Sequence, residues 1–303
     1  MKKMICGWIL MGLAITDAYS GGMGNADSDR MSNQSIVPRA AFFGGLGGGW
    51  SSGSFGSQRV YGKGTSYSPP YGIHTSQVGL AAGSTSVKMN SQSALTPVIQ
   101  VGYVQNFSDS PWMRGGKISY SYLGLGSVNS QQQIPQAGGF TEDGAYTPFT
   151  GNYLVQSYWQ TINQQISLIP LIGRSFERSY VYFGVGPTSV QTNTFIENIT
   201  GFESAALLTT TPTGIGLGDK YSTTQWLFGG AAMVGSTYFI DPSWFIDMSY
   251  TYSITGTKTS RWGGTWTDND IARSYVTRTG MNSGTSTGSV NIQALVITIN
   301  KAF

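Results

Sequence analysis

Residues 289–303, Ser-Val-Asn-Ile-Gln-Ala-Leu-Val-Ile-Thr-Ile-Asn-Lys-Ala-Phe, read as one alternating strand. Counting back in twos from Phe303, one face carries Ile299, Ile297 and Leu295. The other carries Asn300, Thr298 and small residues. Successive side chains of a strand point to opposite faces, so this segment has one apolar side and one largely polar side. That is the pattern of a wall with lipid outside and a polar lumen within.

The N-terminus points to export. Lys2 and Lys3 form a positive region, Met4 to Ile15 an apolar one, and Ala18-Tyr19-Ser20 precede Gly21 as the expected cleavage site. The apolar run is too short for a spanning helix, which needs roughly 20 residues. We therefore expect a cleaved signal peptide at 1–20, a short periplasmic segment at 21–38 and a barrel at 39–303. Cleavage removes Cys6, the only cysteine. Lys-Met-Ile before it lacks the small residues of a lipidation site, so neither a lipoprotein nor a disulfide framework is expected.

No other stretch reads as a spanning helix: the best, Trp226 to Ile240, is interrupted by Gly229, Gly230, Gly235, Ser236 and Thr237. Yet charged residues make up only 10% of the chain, against about 25% in soluble domains. Aromatics at 13% and 42 glycines complete the profile of a barrel with a lipid-facing belt and polar loops. A formal net charge of +3 is too small and scattered to argue for nucleic acid.

Three short turns set the rhythm: Ser108-Asp-Ser-Pro-Trp112, Arg174-Ser-Phe-Glu-Arg-Ser179 and Asp241-Pro-Ser-Trp244. Proline presets φ, and Asp and Ser bond back to nearby backbone. Around them the chain alternates with period two. Trp244, Ile246, Met248, Tyr250, Tyr252 and Ile254 share one face; Phe245, Asp247, Ser249, Thr251, Ser253 and Thr255 share the other. The same parity sets Ile118, Tyr120 and Tyr122 against Lys117, Ser119 and Ser121, and Ile99, Val101 and Tyr103 against Gln100 and Gly102. Long Gly/Ser/Thr/Gln/Asn-rich stretches at 55–93, 127–158, 193–221 and 258–286 separate the hairpins and read as surface loops. The expected fold is all-β: a membrane-spanning antiparallel up-and-down barrel with short periplasmic turns and long extracellular loops. Eight strands are expected, at 39–52, 94–107, 113–126, 159–173, 180–192, 222–240, 244–257 and 287–303. An extra hairpin within 55–93, rising above the membrane, would raise the count to ten.

Aromatics crowd the short turns: Tyr103, Phe107, Trp112, Phe176, Tyr180, Tyr238, Phe239, Trp244 and Phe245, with Phe303 at the same end. A periplasmic girdle at headgroup level is expected there, led by Tyr103, Trp112, Tyr238 and Trp244.

Residues 228–252, from Phe228-Gly-Gly-Ala-Ala-Met to Asp247-Met-Ser-Tyr-Thr-Tyr252, resemble the penultimate hairpin of the outer-membrane β-barrel domain family. That family includes OmpA-type domains, opacity proteins and small porin-like proteins. Tyr182-Phe-Gly-Val-Gly186 and the ending at Phe303 are similar to it as well. The resemblance implies that Phe303 belongs to the signal read by the outer-membrane assembly machinery. Lys301 departs from it, standing where an apolar or aromatic residue is usual.

Chemistry-bearing constellations are few. His74, the only histidine, could act as a general base with a loop serine, but no serine has a diagnostic context. Glu142-Asp143 and Asp268-Asn-Asp270 lack the spaced ligands and turn glycine of a calcium loop. The glycine runs Gly44–Gly49 and Gly214–Gly218 lack the Lys-Ser/Thr of a phosphate loop and read as strand glycines. The matches at Asn33, Asn106 and Asn198 to a glycosylation sequon carry no meaning in a bacterial exported protein. Gln100, Lys117, Asp247 and Arg174 are expected to face the lumen. There they form either a polar plug or the lining of a narrow pore, since an eight-stranded interior is only wide enough for side chains and a buried charge must be paired.

The expectation is a non-enzymatic outer-membrane protein presenting loops to its surroundings, without cofactor or metal. Its partners would be outer-membrane lipid, lipopolysaccharide, the assembly machinery and surface ligands. A narrow porin is the second reading and a lipid-modifying enzyme using His74 a remote third.

Overall fold

The structure, a computed structural model, describes residues 36–56, 58–108, 110–204, 210–270 and 276–303. The proposed signal peptide, Cys6 and Asn33 lie outside the described residues. Within them twelve strands follow in order: β1 Ala40–Phe55, β2 Gln58–Ser68, β3 Gln77–Val87, β4 Gln92–Asn106, β5 Trp112–Glu142, β6 Ala145–Ser175, β7 Ser179–Ser204, β8 Thr210–Phe239, β9 Trp244–Thr255, β10 Lys258–Asp270, β11 Val276–Gly288 and β12 Val290–Ala302.

Eight of them close a ring. β1 pairs with β4, β4 with β5, and β5, β6, β7, β8 and β9 pair in succession; β9 pairs with β12, which returns to β1. Each of these ladders is antiparallel. The chain is thus a membrane-spanning β-barrel, and closure leaves the ring no free edge in a medium where unpaired backbone is costly. Along β9 the residues alternate exposed and buried from Trp244 to Thr255 without a break. Phe42, Leu46, Leu95, Ile99, Ile166, Phe183, Phe228, Leu295 and Ile299 continue its apolar outer face around the wall. At ~3.4 Å per residue and a tilt near 40°, the belt from Trp244 to Ile254 is about 26 Å tall, matching the ~25 Å of outer-membrane barrels.

The long polar stretches are not loops. Their described residues are paired strands that carry the barrel upward as a second storey. β5 and β6 are each 31 residues long and stay paired to their tip. β7 and β8 pair from Ser179 and Tyr238 up to Ser204 and Thr210, while β2–β3 and β10–β11 complete the upper wall through β11–β2 and β3–β5 ladders. From Gly126 to Glu142, β5 climbs about 40 Å beyond the belt at the same rise and tilt. The strand boundaries expected from sequence are therefore too short on β5–β8. Residues 55–93, expected as a surface loop with an extra hairpin as the alternative, hold the β2–β3 hairpin, which lies in the upper storey. β8 and β10 stand side by side, with no ladder between them among the described residues.

At the other end the connections are tight. Asp241 Oδ1 accepts from the backbone of Ser243 and Trp244 at 2.7 and 2.9 Å, and Phe176 N donates to Ser179 O. At the tip of β5–β6, Asp143 and Gly144 adopt φ of 53° and 76°, the left-handed pair of a two-residue hairpin turn.

Candidate functional site

The interior is filled in layers. At the periplasmic end Phe43, Met113, Leu171, Tyr180, Met233, Phe239 and Phe245 pack into an apolar floor, with Val37 tucked against it. The expected girdle therefore divides. Trp112, Tyr238 and Trp244 are exposed on the outer wall, and Tyr103 is half-buried against Phe42 at 4.6 Å between ring centres. Tyr180, Phe239 and Phe245 point inward. Adjacent residues of a strand face opposite ways, so Tyr238–Phe239 and Trp244–Phe245 can each place only one ring outside. Arg174 is likewise exposed, its guanidinium 5.8 Å from the Phe176 ring, rather than in the lumen.

Above the floor lies a charged layer. Gln100, Lys117 and Asp247 are 2–3% exposed and converge from β4, β5 and β9. Lys117 Nζ donates to Asp247 Oδ2 and to the Tyr182 hydroxyl, both at 2.9 Å, and Tyr182 donates to Asp247 Oδ1 at 2.7 Å. Gln100 Nε2 reaches Asp247 Oδ2 at 3.0 Å and Thr298 Oγ1 and Asn300 Oδ1 at 2.7 Å. The carboxylate thus meets an ammonium, a phenol and an amide, the charge-assisted contacts that offset desolvation.

β1 makes room for this layer by omission. Gly45 lies between Gln100 and Asn300 in register, and a Cβ there would sit 1.9 Å from Asn300 Oδ1. The glycine run 44–49 is therefore strand wall. The run 214–218 lies within β8, so neither is a loop between strand and helix.

Two further layers close the lumen above. Gln165 Nε2 contacts Ser253 Oγ at 2.8 Å and Thr188 Oγ1 at 3.0 Å, and Ser51 bonds Thr96 across the wall at 2.8 Å. Over them Phe55, Leu123, Leu125, Ile162, Val190, Leu227, Val290 and Ile292 form an apolar cap. The upper storey has its own core of Val60, Val87, Ile134, Val155, Tyr158, Ile196, Ile199 and Trp262. Tyr158 and Ser286 share a hydrogen bond there at 2.5 Å; burial pushes the phenol pKa up, with the serine contact opposing.

His74 sits at the rim of the upper storey, with Nδ1 3.4 Å from Glu142 Oε1. No hydroxyl hydrogen-bonds to it among the described residues. Asp143 turns the β5–β6 hairpin, and no metal-binding cluster occurs among the described residues. At the β8–β10 seam a cavity of about 320 Å³ is lined by Thr194, Tyr221, Ser260, Trp262 and Arg261. The Lys220 amine beside it is held by Glu197 at 3.3 Å. Phe303 N donates to Phe42 O at 2.8 Å, and Lys301 Nζ lies 5.5 and 5.8 Å from the rings of Phe303 and Trp244.

A closed antiparallel ring with an apolar outer belt, tight turns at one end and tall hairpins at the other defines an integral barrel of the outer-membrane class. No protein-family model matches the chain, and no curated protein matches it. Among solved structures, the chain is similar to OprG of Pseudomonas aeruginosa at 11% identity, over 88% of this chain and 98% of that one, with a TM-score of 0.37. It is also similar to Ail, the attachment invasion locus protein of Yersinia pestis, solved with the heparin analogue sucrose octasulfate. There the identity is 12%, over 84% and 99% of the two chains, with a TM-score of 0.29.

Proposed function

We propose that the chain is a closed outer-membrane barrel whose role is surface interaction, carried by the hairpin storey above the belt. The supporting observation is the stacking of buried layers. The Lys117–Asp247 layer lies between the floor around Phe239 and Phe245 and the cap around Leu125 and Ile162. A pore would need a continuous wet path past Lys117 and Asp247; apolar layers above and below argue for the plug. A stiff storey with its own core suits the presentation of a fixed surface, since little entropy is lost on binding.

The same proposal takes residues 1–20 as a cleaved signal, Trp112, Tyr238 and Trp244 as headgroup-level anchors and Phe303 as part of an assembly signal. It keeps the resemblance to OmpA-type domains as its family reading and takes the chain as no enzyme. Conductance across a planar bilayer tests the core of the proposal. Refolded protein with heat-modifiable gel mobility should give no steps; stable stepwise currents, altered in ion selectivity by Lys117→Glu, would overturn it in favour of the narrow porin.

A further inference from the structure

The upper storey is parted along one seam. At the foot of the seam Gly256 N donates to Phe228 O at 2.9 Å, and Lys258 Nζ takes the Trp226 carbonyl at 3.2 Å. Above that level β8 forms a ladder with β7 and β10 with β11, but none joins β8 to β10 among the described residues. An unpaired strand edge presents a row of N–H and C=O groups. Here the two edges, at 220–223 and 260–263, border the cavity of about 320 Å³.

The cavity is a window through the wall. Adjacent residues of a strand face opposite ways, and the lining divides accordingly. Ile196 and Trp262 belong to the upper core and Tyr221 packs against it, whereas Lys220, Ser222 and Arg261 are exposed outside. The rings of Tyr221 and Trp262 lie 5.7 Å apart at 44°, an open wedge of aromatic surface. Glycines make room for both: a Cβ at Gly284 would overlap the Trp262 ring, and one at Gly264 the Tyr221 hydroxyl. Beside the rings, polar groups are left over. Thr194 and Trp262 are 2% and 9% exposed and line the cavity, yet Thr194 Oγ1 and Trp262 Nε1 have no hydrogen-bond partner among the described residues. Buried polar groups are nearly always paired, with protein, water or ligand.

The lining selects the occupant. No carboxylate lines the cavity among the described residues, so a metal ion or an amine would find no counter-charge. Lys220 is already held by Glu197 at 3.3 Å, and Arg261 stands at the outer lip. What remains within is an aromatic wedge beside hydroxyls and an indole N–H. Such rings offer an apolar face and a polar tip, matching the C–H face and the hydroxyls of a sugar. At ~30 Å³ per water the cavity has room for about ten waters, and so for one sugar ring rather than a chain of them. We propose that the β8–β10 seam binds a single neutral hexose unit, its C–H face on Trp262 and Tyr221 and its hydroxyls on Thr194 and the indole N–H. The inference gives the surface-interaction reading a ligand class and rests on that reading.

The full chain, refolded and carrying its compact unboiled band, is probed by saturation-transfer NMR with glucose, galactose and mannose and with their methyl glycosides. At least one hexose should receive saturation, with an affinity unmoved by added salt. Equal binding of its methyl glycoside would point to the end unit of a glycan, and binding of the free sugar alone to a diffusible hexose. Thr194→Val keeps nearly the same shape and removes an unpartnered hydroxyl. It should leave melting unchanged or raised while weakening binding about 5-fold. Ser222→Trp, exposed at the outer mouth, should abolish binding and keep the compact band. No transfer to any of the six probes from banded protein, or binding undiminished in both variants, would overturn the site and leave the closed barrel standing. Salt-sensitive binding confined to sulfated or carboxylated sugars would overturn the neutral-hexose assignment. Stepwise bilayer currents would instead strike the closed-barrel reading.

Discussion

Lys117 and Asp247, 130 positions apart, meet at 2.9 Å inside the barrel, each almost wholly shielded from solvent. Neither could be tolerated there alone. Removing one partner of a buried pair costs about 3–5 kcal/mol, whereas replacing both by apolar groups of similar volume is often neutral. Lys117→Met should therefore lower stability by about that amount in urea titrations followed by gel mobility. Lys117→Met/Asp247→Leu should regain most of it. Additive losses in the double variant would show that the two residues do not act as a pair.

Gly45 makes the same layer possible. A methyl group would strike Asn300 Oδ1, which Gln100 contacts at 2.7 Å. Gly45→Ala should cost about 1–3 kcal/mol through forced repacking. Gly48→Ala, whose Cβ would find its nearest neighbour at 3.5 Å, should be nearly silent. Equal thermal shifts for the two variants would count against this account of the wall.

Tyr158 predicts a pH limit for the upper storey. Burial raises its folded pKa above the ordinary phenol value of 10.0, so the unfolded chain ionises first. The stabilisation is complete below pH 10 and falls as pH rises toward the folded value. Thermal unfolding between about pH 9 and pH 12 should show a loss that is smaller in Tyr158→Phe, which also lacks the Ser286 bond at all pH values. An identical pH slope in both proteins would refute the assignment.

At the hairpin tip, Gly144 has φ of 76°, and a methyl group added there would meet nothing within 4 Å. Gly144→Ala therefore brings conformational strain without a clash, about 1–2 kcal/mol. Faster protease nicking near Glu142, with the barrel's melting unchanged, is the expected outcome. Unchanged nicking would mean the turn is not held in the left-handed conformation.

Parity in the sequence was enough to turn Gln100, Lys117 and Asp247 toward one another, because lipid on one side forces a strict alternation. Tyr182 was missed as a partner since its ring reads as belt material, although its hydroxyl is the handle that lets it face inward. The upper storey was illegible for a related reason. Outside the lipid a strand needs no apolar outer face, so Thr259, Arg261 and Thr265 alternate with Ser260, Trp262 and Trp266 in a stretch that looks like polar loop. Asp143-Gly144 was the available signal, a hairpin turn in the middle of the supposed loop. The inward floor of Tyr180 and Phe239 was hidden by counting aromatics near the turns without assigning each a face, although parity had already set Phe245 on the face of Asp247.

Thiol accessibility tests the sealed lumen most directly. With Cys6 replaced by serine, Thr298→Cys places a thiol in the charged layer, where Thr298 is 1% exposed, and Ser86→Cys provides an exposed control on β3. A small charged thiol reagent should label the control within seconds and leave position 298 unreacted until the protein is unfolded. Labelling of both at comparable rates in the folded protein would contradict a closed barrel.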